Sequence, residues 1–220
     1  MGVFSVSTAA ILIKLASEAH PLAIAFYRMF ISVLVFIIIT FIYRMRRIND
    51  IKVFTVKSNQ VFRIIISSFG LAMHFCFWVW SLSFTSVASS VLLVTTNPFI
   101  VLLFSWIIWS HPIRLKMIIG MFIGLIGGTI IIFGDSQYTN NITGDLLALL
   151  GSLCIVPYVL CGRSLRKDMH IITYNLYVYA LATIFLFSLI LIFQIELFTL
   201  STYTYFILFL VALIPQVIGH

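Results

Sequence analysis

Apolar runs of about 20 residues, the length that crosses a bilayer as a helix, follow one another along this chain with only short breaks. Hydrophobic residues make up 62% of the chain and charged residues 9%, whereas a soluble domain has roughly 25% charged residues. Such a composition cannot form a water-soluble surface. The chain is therefore predicted to be an all-α polytopic membrane protein, because a strand or loop exposed to lipid would leave backbone groups unpaired.

The cationic residues predict how these helices cross the membrane. Of the 13 Lys and Arg residues, only Lys14 and Arg28 lie well inside predicted helices. The others lie in or at the edges of three loops, which contain Arg44, Arg46, Arg47, Lys52, Lys57 and Arg63, then Arg114 and Lys116, then Arg163, Arg166 and Lys167. Basic loops stay in the cytosol during insertion, so we expect a cytoplasmic N-terminus. The net charge of +7 then reflects topology, and nucleic acid is not an expected partner.

Eight helices are predicted, at about 3–18, 21–43, 61–83, 86–109, 115–134, 144–162, 170–193 and 203–220. The segment Thr95-Thr96-Asn97-Pro98 interrupts the fourth helix, because Pro98 frees a backbone carbonyl that the Thr or Asn side chains can satisfy. Gly120, Gly124 and Gly128 lie on one face of the fifth helix, a pattern that favours close helix packing.

The cysteines Cys76, Cys154 and Cys161 lie within apolar runs, where a thiol behaves as a small hydrophobe. None has the spacing of a metal-ligand pair. We therefore predict no disulfide, no metal site and no cofactor.

The beginnings of the two halves are similar in layout. The segments 2–28 and 151–177 each have a short helix, a polar break, a His and a long aromatic-rich helix. His20 pairs with His170, and His74 pairs with His220. Five helices separate equivalent elements, so the second copy is inverted. We expect a first repeat over residues 1–134 and the start of a second over residues 144–220, cut from a ten-helix protein.

The residues that carry a family resemblance are spread along the first repeat. They are Ile13-Lys14-Leu15, then His20-Pro21-Leu22 leading to Arg28, the turn Ser86 to Ser90 leading to Asn97-Pro98, and the glycines Gly120 to Gly128. In order and spacing the chain resembles the EamA family of the drug/metabolite transporter superfamily. It departs from the family where Ser110-His111 replaces a common Glu. The resemblance implies two inverted five-helix repeats around a central cavity, and transport of small metabolites.

Six residues are candidates for substrate binding, namely Arg28, His74, Trp78, Asn97, Tyr158 and Lys14. Arg28 is either an anchor for an anionic group or a structural Arg bonded to backbone carbonyls or lipid headgroups. Lys14 lies nearer the outer end, where its side chain can reach the interface or pair with Glu18. His74 either titrates or binds substrate, or is a satisfied structural group. Asn97 lies at the proline kink, where it either meets substrate or bonds a neighbouring helix, and Tyr158 is its counterpart in the second repeat.

The predicted function is secondary transport of small organic metabolites, such as amino acids or related solutes with an anionic group, by alternating access. A membrane-embedded enzyme is disfavoured because the chain has no HExxH, no GxSxG and no pair of buried acids. A scaffold or lipid-handling subunit without transport remains the alternative. The expected partners are the bilayer and a small-molecule substrate, and a homodimer stays open. The expected location is the bacterial inner membrane.

Overall fold

The computed structural model describes residues 2–45, 56–110, 114–133 and 141–219, and in these ranges the chain forms helices and no strand. The helices are α1 (Gly2–Ser7), α2 (Ala9–Leu15), α3 (Pro21–Met45), α4 (Ser58–Ser81), α5 (Val87–Val94), α6 (Asn97–Trp109), α7 (Leu115–Phe133), α8 (Ile142–Leu165), α9 (Ile171–Ile192) and α10 (Thr202–Val211). A π-helical turn, Ala212–Ile218, extends α10.

Among the described residues, five helical stretches are long and apolar enough to cross a membrane. They are Pro21–Met45, Ser58–Ser81, Val87–Ile108, Ile142–Leu165 and Ile171–Ile192. Three shorter apolar helices, Phe4–Leu15, Leu115–Ile131 and Thr202–Ile218, complete the set. These eight segments match the eight predicted helices, so the all-helical, multi-pass membrane fold is confirmed. Ten helices and an inverted repeat stay predictions, and the boundary at residue 134 and His220 lie outside the described residues.

The outer surface of the bundle is apolar, as a lipid-facing surface must be. Side chains such as Phe62, Ile38 and Ile130 are more than half exposed. Polar side chains such as Arg28, Ser67 and Ser152 are fully buried instead. The outer surface is thus unlike that of a soluble protein, because lipid solvates the apolar side chains and polar groups need partners inside.

Helices α4 and α8 pack along one another at the centre of the bundle. Two glycines allow this close approach. A Cβ on Gly70 would lie 2.8 Å from the carbonyl oxygen of Cys154, and a Cβ on Gly151 would lie 3.2 Å from the backbone nitrogen of Trp78. The glycines of α7 behave differently. A Cβ on Gly120 or Gly124 would meet no described atom within 4 Å, whereas one on Gly128 would collide with the side chain of Leu92. Of these three glycines, Gly128 is the one that shows the predicted packing role among the described residues.

The predicted interruption of the fourth helix separates α5 from α6. Thr95 and Thr96 form a turn before α6 begins at Asn97. The Thr95 hydroxyl donates to the carbonyl of Leu92 at 2.8 Å, and the Thr96 hydroxyl donates to the next carbonyl at 2.7 Å. Threonine side chains therefore bond carbonyls beside the kink, namely those of Leu92 and Leu93, whereas the carbonyl four residues before Pro98 is that of Val94.

The two predicted repeats contain the same turn. After α2 and again after α8, a short turn leads to a His that precedes the next helix. Nδ1 of His20 accepts a hydrogen bond from the backbone N–H of Leu22 at 3.2 Å, and Nδ1 of His170 accepts one from Ile172 at 3.3 Å. The His pair found in the sequence thus begins two helices in the same way.

Candidate functional site

A cavity of about 660 Å³ lies between elements of both parts of the chain. Four of the six predicted residues line it: Arg28 of α3, His74 and Trp78 of α4, and Asn97 of α6. The rest of the described lining comes from Phe75 of α4, from α1, α2, α5 and α8, from Thr95 in the turn after α5, and from the residue that follows the π-helical turn. Most of these side chains are apolar. No acidic side chain is among the described lining residues.

Arg28 is the only charged side chain of the described cavity lining, and it is fully buried. Its Nε donates a hydrogen bond to Oε1 of Gln216 at 2.8 Å. Its guanidinium carbon lies 4.1 Å from the ring centre of Phe75 and 5.5 Å from that of Trp78, so cation–π attraction partly replaces lost hydration. Nη1 and Nη2 are both buried without a hydrogen-bond partner among the described residues. An unpaired buried donor costs about 1–3 kcal/mol, and more in a charged group.

Gln216 approaches Arg28 because the last helix changes its winding. Pro215 lies inside the π-helical turn and has no backbone N–H, so the regular helical bond cannot form there. Such wide turns often occur at functional sites. Gln216 is fully buried, and its Nε2 has no hydrogen-bond partner in the described part of the chain. The pair joins α3 to the end of α10, across 188 positions of sequence.

His74 is fixed by a bond to the backbone of α8. Its Nδ1 lies 2.8 Å from the carbonyl oxygen of Gly151. A carbonyl can only accept, so Nδ1 carries a proton, and in a neutral ring Nε2 is left as an acceptor. The Trp78 ring stacks on the imidazole at 5.9 Å, and the indole N–H is buried without a partner among the described residues. The His74 and Trp78 rings thus form one wall.

Tyr158 and Lys14 lie elsewhere. The Tyr158 ring is 6.0 Å from that of Tyr174, whose hydroxyl donates to the Tyr158 carbonyl at 3.2 Å, and Tyr158 is not among the residues that line the Arg28 cavity. Lys14 is exposed and lines a separate cavity of about 520 Å³ together with Glu18. Their roles in substrate binding stay predictions.

Glu18 has partners other than the Lys14 that helical spacing predicted. Its carboxylate accepts hydrogen bonds from the Ser201 backbone N–H at 3.0 Å, from the Ser201 hydroxyl at 2.5 Å and from the Thr204 hydroxyl. The Ser201 side chain and then the Thr204 side chain hold the pKa of Glu18 below its usual value. The carboxylate therefore ties the turn after α2 to the first turn of α10.

Two residues of the cavity region were not predicted. Gln216 is a polar side chain beside a proline in an apolar helix, the same signal that singled out Asn97. Phe75 had no distinguishing signal, because it is one of 21 Phe residues.

The sequence is similar to known transport proteins. The model of the EamA-like transporter family matches residues 1–133. The thiamine-repressible mitochondrial transport protein THI74 of Saccharomyces cerevisiae is 30% identical over 101 residues, which are 40% of this chain and 27% of that protein. The uncharacterized transporter YyaM of Bacillus subtilis is 26% identical over 124 residues, 54% of this chain and 41% of that protein. The matched region is thus less than half of either relative.

A solved crystal structure has the same fold. It superimposes with a TM-score of 0.65 at 17% identity, over 99% of this chain and 76% of the other. The family match covers more than half of the chain, and both relatives carry the name of transporter, which points to membrane transport rather than enzymatic catalysis. This chain belongs to the EamA-like transporter family, within the drug/metabolite transporter superfamily.

Proposed function

We propose that this protein is a secondary transporter of small organic metabolites that carry an anionic group, such as amino acids or related acids. One observation carries the proposal. Arg28 is a fully buried cation in a cavity of the membrane bundle, and its two terminal nitrogens have no hydrogen-bond partner among the described residues. A carboxylate has two oxygens that match the two terminal nitrogens of a guanidinium.

The rest of the cavity suits an organic solute. Apolar side chains such as Val91, Val94 and Ile155 can contact a hydrocarbon body. His74 and Trp78 can supply one acceptor and one donor for polar atoms. A volume of about 660 Å³ lies within the roughly 300–1,000 Å³ of small-molecule sites.

Alternating access is supported by how the helices pair. In an inverted repeat, the contact of the third helix with the sixth has a counterpart in the contact of the eighth helix with the first. Here the third and sixth predicted helices are α4 and α8, and α10 and α2 belong to the eighth and the first. The contact of α4 with α8 accordingly has a counterpart in the contact of α10 with α2. α3 packs on α9, and these would be the second helices of the two repeats. We propose that the repeats rock about the cavity and expose it to each side in turn.

The proposed orientation has the N-terminus in the cytosol of a bacterial cell, with the chain in the inner membrane. Contacts at the two ends of the bundle support this orientation. At the basic end, Nη1 of Arg63 in α4 donates to the hydroxyl of Ser164 in α8 at 3.0 Å, which joins the ends of two helices that lie beside basic loops. At the other end, the carboxylate of Asp145 accepts from Thr85 at 3.0 Å and from Ser89 at 2.8 Å.

Flux into proteoliposomes tests the proposal. Purified protein is assayed with labelled amino acids, monocarboxylates, phosphate monoesters and neutral sugars. We expect uptake of at least one anionic class, and loss of that uptake in Arg28→Gln. Arg114→Gln removes an exposed charge outside the cavity and should leave flux unchanged. Unchanged uptake in a folded Arg28→Gln protein would exclude the anchor role, and absence of flux for every class would favour the scaffold alternative.

A further inference from the structure

The ring of Phe75 packs against the guanidinium of Arg28 at the cavity wall. Its ring centre lies 4.1 Å from the guanidinium carbon, and Phe75 is itself 1% exposed. Arg28 is 0% exposed although it lines the cavity wall, so water-sized groups do not reach its terminal nitrogens in this conformation. A ligand can bind Arg28 only if a side chain that covers it moves, and the ring of Phe75 lies against the guanidinium.

The ring is a weaker partner for the cation than an anion would be. A π-face attracts the positive charge but leaves Nη1 and Nη2 without a hydrogen-bonded oxygen. A carboxylate attracts the same charge and accepts two parallel N–H bonds. An anion can therefore replace the ring with a gain in interaction energy, whereas a neutral solute would expose Arg28 without supplying an equal partner.

The lining also limits what the rest of the ligand can be. Its described residues include one cation and no acidic side chain. A single carboxylate balances Arg28, and a ligand ammonium group would find no carboxylate among the described lining residues. The apolar side chains of Val6, Ala10, Val91, Val94 and Ile155 suit a hydrocarbon remainder.

We propose that Phe75 is an aromatic lid that covers Arg28 and moves aside for the carboxylate of an apolar monoanion. This inference rests on the proposed function, in which Arg28 anchors the substrate, and it narrows the proposed substrates from amino acids and related acids to acids without an ammonium group. Phe75 thereby becomes a specificity-determining residue, because only a ligand with an anionic group compensates for the displaced ring. His74 and Trp78 must adjust with it, since their rings contact Phe75 at centroid distances of 4.9 and 6.3 Å.

The lid is tested by chemical modification of arginine, which does not require transport. Purified protein is treated with phenylglyoxal, and the peptide that contains Arg28 is followed by mass spectrometry. We expect Arg28 to react at least tenfold more slowly than the exposed Arg114. Phe75→Ala should accelerate the modification of Arg28 at least tenfold. Phe62→Ala, which removes a lipid-exposed ring of the same helix, should leave that rate unchanged. Phe75→Leu keeps the core filled and replaces the alanine variant if that protein does not fold.

The substrate class is tested with three matched ligands. They are 4-methylpentanoate, its neutral amide, and leucine, which adds an ammonium group to the same carboxylate and side chain. We expect 4-methylpentanoate to bind at least tenfold more tightly than either of the others, by equilibrium binding to the purified protein. Equal binding of the acid and the amide overturns the anion requirement, and tighter binding of leucine overturns the restriction to monoanions.

The outcomes separate this inference from the proposed function. The lid is overturned if Arg28 of the parent protein is modified as fast as Arg114, or if Arg28 is modified at equal rates with and without the Phe75 ring. In that case, flux that depends on Arg28 would still support the transport proposal. If no solute is transported but Phe75→Ala exposes Arg28, the lid stands and the transport proposal fails.

Discussion

Replacing Gln216 with Glu should block anion binding while leaving the fold intact. Gln216 holds Nε of Arg28 at 2.8 Å, and both side chains are fully buried. Glu has nearly the same shape as Gln, so its carboxylate can take the place of the amide and accept the same hydrogen bond. The change adds one negative charge beside the cation that is proposed to bind the substrate.

The size of the effect follows from the distance between the two anions. A substrate carboxylate on Nη1 and Nη2 would lie roughly 6 Å from the new carboxylate, on the opposite edge of the guanidinium. With an effective dielectric constant near 20, two like charges at that distance repel by about 2.8 kcal/mol. Since 1.4 kcal/mol corresponds to a factor of ten in affinity, we expect binding to weaken about a hundredfold.

The assay compares the affinity of 4-methylpentanoate for the parent protein, Gln216→Glu and Gln194→Glu. Gln194 is exposed in the loop before α10, so the same substitution there adds the charge far from the cavity and should leave affinity unchanged. Thermal unfolding in detergent establishes that each variant is folded. An affinity of folded Gln216→Glu within threefold of the parent would refute the placement of the anion on Arg28.

Two further predictions concern stability. Gly70→Ala should destabilise the protein by about 1–3 kcal/mol, because its Cβ would lie 2.8 Å from a backbone carbonyl oxygen of α8. Gly124→Ala is the control, because its Cβ would meet no described atom, and it should not lower the midpoint of thermal unfolding in detergent. Equal midpoints for Gly70→Ala and Gly124→Ala would contradict the close packing of α4 on α8. The second concerns Glu18, whose pKa is lowered first by the Ser201 hydroxyl. Its contribution to stability should be complete above the reference pKa of 4.5 and lost as pH falls through the lower folded pKa, so Glu18→Gln should flatten the pH dependence of unfolding in this range. Glu196→Gln, at an exposed position, is the control. If Glu18→Gln changes the pH dependence of unfolding no more than this control does, the contact of Glu18 with Ser201 and Thr204 is contradicted.

The membrane fold and much of the cavity could be predicted from the sequence. Long apolar runs can only form helices in lipid, and a proline beside threonines marks where one of them is interrupted. Polar groups in membrane helices face the interior of a bundle, which favours Arg28, His74 and Asn97 as cavity residues. Trp78 lies one helical turn from His74 on the same face. The structure brings these four together around one cavity.

Contacts that depend on distant neighbours could not be predicted. Arg28 and Gln216 are joined only because a π-helical turn near the end of α10 packs on α3. Gly70 lies in close contact and Gly124 in open space, although the regular spacing favoured the second. Phe75 gave no signal because phenylalanine suits lipid-facing and buried positions equally. Tyr158 was chosen by analogy between repeats, and a shared backbone layout does not require matching side chains.

An experimental structure of the protein with bound 4-methylpentanoate would show whether Arg28 holds the substrate anion. We expect the two carboxylate oxygens at about 2.7–2.9 Å from Nη1 and Nη2 of Arg28. We also expect the ring of Phe75 to have moved off the guanidinium and Gln216 to accept still from Nε. A ligand bound elsewhere, with Phe75 still covering Arg28, would overturn the anchor role of Arg28.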